Sequence, residues 1–246
     1  MKSPSGRMVG IFYFALPLIV SAFTFFWNSA NYPSGPSNDE GIYIRRAMHV
    51  LSGFGPQESL LYDHPYFSQI FMAWVFSLIN YPHILNPTDS VESIKMIFFV
   101  PRIIMAIIAI VDTALVYMIS KYWYNNRTIA ITASTLFAVM PFTDPLRRVL
   151  LESIQLPFFL LSVLFAICST KKIRTTNSNR GMDYRQILFI LLSGIFLGLA
   201  IFTKIPIFTM MPLIVFIVYK NNKIKRILIL WVVPVIAIPL FWPAYA

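Results

Sequence analysis

The sequence is short of three things. It has one cysteine in 246 residues, which excludes an intrachain disulfide; Cys168 lies inside an apolar run, so the redox compartment stays open. It has three histidines, none at a metal-ligand spacing, which argues against a zinc site built from protein side chains alone. Only 12% of its residues are charged against 57% hydrophobic, with a mean hydropathy of +0.68. A soluble chain of this length cannot cover its surface from that composition, so the sequence describes an integral membrane protein. A formal charge of +10 would suggest nucleic acid in a soluble protein. Here the basic residues lie in short loops between apolar runs and act as orientation signals, so no nucleic-acid partner is expected.

Seven apolar runs approach membrane-spanning length: Met8 to Asn28, Met96 to Ser120, Thr128 to Phe142, Ser153 to Ser169, Ile187 to Thr203, Ile205 to Tyr219 and Ile227 to Ala246. The first exceeds a signal-peptide core and reads as an uncleaved anchor. The fifth and sixth together are too long for one helix across a core of about 30 Å, and Thr203-Lys204-Ile205-Pro206 supplies the turn between them. An eighth run, Tyr66 to Asn80, decides the orientation. If it stays on one side, 13 of the 20 basic residues share a face with the amino terminus; if it crosses, they are split against the positive-inside rule. The expected fold is therefore all-α and polytopic, with about seven transmembrane helices and a cytoplasmic amino terminus. Residues 29–95 form a long outer first loop with juxtamembrane helices, one just after Asp39-Glu40 and one over Tyr66 to Asn80; residues 143–152 form a second outer loop.

That outer layer gathers the chemistry. Asp39 and Glu40 sit near Arg45 and Arg46; Asp63 adjoins His64; Asp144, Arg147, Arg148 and Glu152 share the second loop; Lys204 occupies an outer turn and Arg102 the outer end of the second span. Carboxylates beside cations suit a site where a base takes a proton from a hydroxyl while positive charge holds a phosphate leaving group. Plainer roles compete: helix initiation for Asp39-Glu40, head-group anchoring for Arg45 and Arg46, pairing within the bundle for Asp112, and close helix packing for Gly194 and Gly198.

Asn38-Asp39-Glu40-Gly41-Ile42-Tyr43, Ala47-Met48, Ser52-Gly53 and Asp63-His64-Pro65 resemble, in order, the first outer loop of the protein O-mannosyltransferase and aminoarabinose transferase branch of the GT-C glycosyltransferases. Arg147 to Ser153 is similar to that family's second-loop motif, and Gly194 to Lys204 to its glycine-rich helix ending in Thr-Lys. The resemblance implies inverting sugar transfer from a polyisoprenyl-phosphate donor to a hydroxyl on a protein, lipid or glycan acceptor, at an extracytoplasmic active site. It implies Asp39 as general base with Glu40 in support. Tyr43, Asp63, His64, Arg147, Arg148 and Glu152 would line the substrate pocket, and Lys204 would meet the lipid phosphate. No metal ligand set is assigned, and a divalent cation between Asp39, Glu152 and donor phosphate oxygens is left open. Against that family the chain is expected to lack a carboxyl-terminal part, as a fragment or as half of a split enzyme with a second polytopic subunit. The alternative function is a non-catalytic membrane subunit or lipid-binding scaffold. A transporter fits less well, because the ionisable residues, Asp112 excepted, collect at one face and not at mid-membrane.

Overall fold

The computed structural model describes residues 4–29, 38–56, 64–85, 88, 90–170, 184–222 and 225–245. Among them every regular element is helical. In chain order they are α1 (Pro4–Phe26), α2 (Asn38–Leu51), α3 (Phe67–Leu78), α4 (Val91–Tyr124), α5 (Arg127–Val139), α6 (Leu151–Ser169), α7 (Tyr184–Thr203), α8 (Met211–Asn222), α9 (Lys225–Ala237) and α10 (Phe241–Tyr245). Three of these, α4, α6 and α7, are each long and apolar enough to cross a membrane; shorter apolar segments lie at 10–26, 67–78, 127–139, 205–220 and 228–244. The architecture is that of a polytopic membrane protein.

Local chemistry sets the ends of these helices. Asn125 takes the left-handed conformation (φ 51°) that stops α4, and the next residue, Asn126, caps α5 by accepting from the Thr128 and Ile129 amides. Asparagine suits both tasks, since it tolerates positive φ and its carbonyl reaches a free helix N–H. Pro141 and Pro145 hold residues 141–147 in a 3₁₀ turn, so α5 ends at Val139. Pro206 does the same after α7, where a 3₁₀ stretch over Ile205–Met210 leads into α8.

α1 and α4 run antiparallel, joined by Ser21 Oγ and Thr113 Oγ1 at 2.8 Å and by the Phe14–Tyr117 ring contact. α6 and α7 are likewise antiparallel, with Ser162 Oγ donating to the Ser193 carbonyl at 2.7 Å. α7 and α9 run parallel and very close. A Cβ on Gly194 would stand 2.5 Å from the Trp231 carbonyl oxygen, and one on Gly198 2.6 Å from that of Pro234. Glycine at both positions is what lets the two backbones touch, as the GxxxG spacing suggests. The Trp231 indole, fully buried, completes the seam by donating to Ser193 Oγ at 3.1 Å.

One apolar core lies along α6, α7, α8 and α9, built on Ile190, Leu197, Ile214 and Trp231. A second lies under α2 and α3, where Ile44, Met72 and Phe76 meet Met105 of α4 and Ile154 of α6. This second core fixes α2 and α3 on the rest of the bundle. Buried Tyr81 closes it, its hydroxyl donating to the Ile97 carbonyl at 2.7 Å; burial pushes that phenol well above its ordinary pKa.

Candidate functional site

α2 begins with the acidic pair in its first turn. Successive helical residues are rotated by about 100°, and the two carboxylates go opposite ways. Asp39 is exposed and makes no hydrogen bond or ion pair among the described residues. Glu40 is fully buried: Arg102 of α4 donates Nε to its Oε1 at 3.0 Å and Nη2 to its Oε2 at 2.7 Å, and the Val149 amide donates to Oε1 at 3.2 Å. A buried carboxylate needs such partners for nearly every lone pair. Glu40 therefore ties α2, α4 and the segment at Val149 together.

The segment after the 3₁₀ turn is pinned on both sides. The buried Arg147 guanidinium donates to the Thr24 carbonyl at 2.7 Å and the Trp27 carbonyl at 3.4 Å. These belong to the end of α1, where helix carbonyls lack partners and a cation is favoured. Ser153 Oγ donates to the Arg148 carbonyl at 2.8 Å, while Arg148 itself is half-buried. Two residues past Leu150, Glu152 forms an ion pair with Lys204 at the end of α7. The Lys204 side chain is 28% and that of Glu152 51% exposed, so the pair lies at the surface of the bundle. His64 lies within electrostatic reach of Glu152. Tyr43, one turn beyond Asp39, is half-buried against the second core. Asp63 lies outside the described residues.

The sequence-derived residues thus meet at one end of the bundle: Glu40 bonded to the 147–152 segment, Glu152 to Lys204, and His64 beside them, with exposed Asp39 next to Glu40. Two expectations change. Arg147 has its terminal nitrogens directed at α1, a role its basic-acidic motif did not signal. Asp112, expected to pair within the bundle, is fully buried with both carboxylate oxygens free of hydrogen-bond partners among the described residues. Two contributors went unassigned from sequence. Arg102, the partner of Glu40, had only its position to recommend it. Gln155, whose amide nitrogen donates to the Ala200 carbonyl at 2.9 Å and to the Lys204 carbonyl, is visible as a lone amide in an apolar run.

Beside the Lys204 end of α7 an apolar groove of about 490 Å³ opens between Pro65, Ile201, Ile205, Phe208, Val235 and Leu240. Its rim residues Pro65 and Ile205 directly follow His64 and Lys204 in the chain. Among the described residues no three His, Cys, Asp or Glu side chains converge as a metal site.

An apolar helical bundle with a cluster of acidic and basic side chains at one of its ends defines an integral membrane protein. The chain matches the family model of the dolichyl-phosphate-mannose-protein mannosyltransferases over residues 18–242 and belongs to that family, which supports membrane glycosyltransferase activity. No curated protein and no solved structure gives a match.

Proposed function

We propose that the protein transfers a sugar, with inversion, from a polyisoprenyl-phosphate donor to a hydroxyl of a protein acceptor, at the extracytoplasmic face. The observation that supports this reading is the chain of contacts at one end of the bundle, where Glu40, the neighbour of exposed Asp39, bonds the Val149 amide and Glu152 in the following turn pairs with Lys204. Asp39 accepts the proton of the acceptor hydroxyl as its oxygen bonds the anomeric carbon. The bond from that carbon to the phosphate oxygen breaks with its electron pair going to the phosphate, whose charge Lys204 receives together with His64. The groove takes the first isoprene units, and Glu152 holds Lys204 until the head group arrives. Family membership supports the donor class and the protein acceptor; the concentration of basic residues at the other helix ends supports the orientation.

The test is Asp39→Asn in the purified, membrane-inserted protein, assayed with a polyprenyl-phosphate mannose and a serine- or threonine-containing peptide. Loss of a general base costs about 100- to 10,000-fold in rate. Full retained activity removes Asp39 from the mechanism.

A further inference from the structure

We infer that Gln155 is a positioning residue for Lys204, setting where its ammonium stands when a lipid phosphate binds; this rests on the reading of Lys204 given above. Glu152 and Gln155 are three residues apart and so share a face of α6. That face grips one residue of α7 at two points. Glu152 takes the Lys204 ammonium, and the buried Gln155 amide nitrogen takes the Lys204 carbonyl together with that of Ala200.

The need arises from the helix end. α7 stops at Thr203, and the Lys204 backbone is extended (φ −155°, ψ 122°). The next turn contains Pro206, which has no N–H to offer. A carbonyl just past a helix end at an apolar boundary needs a donor from elsewhere. Gln155 is that donor for the Lys204 carbonyl and adds a second bond to the Ala200 carbonyl, which also accepts from the Lys204 amide; both its acceptors being carbonyls fixes which end of the Gln155 amide faces them. The lysine's backbone is thereby held at the departure point of its side chain. The α6–α7 packing does not depend on this contact, since Ser162 donates to the Ser193 carbonyl further along the same pair.

The independence of those two contacts makes the inference testable. Gln155→Met keeps the length and removes the donor, while Ser162→Ala removes a comparable bond from the same helix pair away from Lys204. Kinetics of the full chain in nanodiscs, with polyprenyl-phosphate mannose as the donor, are measured beside the thermal unfolding midpoint. We expect Gln155→Met to raise the donor KM about tenfold, equivalent to one net hydrogen bond of about 1.4 kcal/mol, with kcat changed less. Ser162→Ala should lower the midpoint and leave KM alone. If Gln155→Met also leaves KM alone while Lys204→Gln raises it, Gln155 is merely structural and the inference is overturned, although the phosphate role of Lys204 stands. If Lys204→Gln leaves KM unchanged, that role and the inference fail together. As a second measurement, mass-spectrometric mapping of amine labelling on the purified protein should show Lys204 reacting several times faster in Gln155→Met than in Ser162→Ala. Equal rates count against the inference even where turnover is lost.

Discussion

The end of the bundle that carries Asp39 and its middle handle polar atoms in different ways. At the end, Glu40 has Arg102 and the Val149 amide, Arg147 has the α1 carbonyls, and Gln155 has the α7 carbonyls. In the middle, Asp112 is buried with no partner for either oxygen among the described residues, and α7 meets α9 by shape, through glycine. The first region is specified by paired charges and the bonds they make, the second by close backbone approach with neutral bonds such as Trp231 to Ser193 beside it. Specification by pairs lets a site be held rigid where little apolar surface is available; specification by shape needs only small residues at the right spacing.

The largest effect that would test this contrast lies at Glu40. Glu40→Leu leaves the Arg102 guanidinium buried without its carboxylate, a cost of about 3–5 kcal/mol, whereas Glu40→Leu with Arg102→Leu should recover most of it. Chemical unfolding in detergent micelles reads both; equal losses for the single and double variants would mean that the two side chains are not coupled. Next comes the glycine seam. Gly194→Ala drives a methyl to 2.5 Å from a backbone oxygen, and relieving that overlap should cost about 1–3 kcal/mol, seen as a lower unfolding midpoint. A methyl tolerated there would show that the helices can separate freely. Trp231→Phe removes the bond to Ser193 Oγ and part of a fully buried ring, and about 1–2 kcal/mol is expected from the same melt. Smallest, and opposite in sign, is Asp112→Leu: deleting a buried carboxylate with no hydrogen-bond partner among the described residues should leave stability unchanged or raise it by about 1 kcal/mol. A loss above about 2 kcal/mol would reveal a contribution from Asp112 and erase the contrast.

Much of the fold was legible in the sequence because membrane insertion writes itself in long apolar runs. Each of the seven runs became helix, and the Thr203 to Pro206 break ended α7 where proline requires it. The α5 boundary was read a few residues too far, since Phe142 is apolar yet lies in the turn that Pro141 and Pro145 impose. At the site, the motif order identified the segments that meet but not their partners. That Asp39 faces outward and Glu40 inward depends on helical phase. That Arg147 turns to α1 depends on a carbonyl row 120 residues away or more, which no local pattern announces. Gln155 escaped notice for the same reason: its partners are backbone atoms, which carry no residue identity.

The Tyr66 hydroxyl donates to the Phe241 carbonyl at 2.9 Å, a contact between residues 175 positions apart in the chain. Tyr66 stands at the start of α3, beside His64 and Pro65. A ribosome adding about 5–20 residues per second reaches Phe241 roughly 10–35 s after Tyr66. Throughout that interval the layer carrying the acidic pair is already synthesised while this tether is not. Tethering of this layer is therefore a late event relative to its synthesis, made as the segment around Phe241 takes its place, and a nascent chain arrested before α9 would display α3 without that bond.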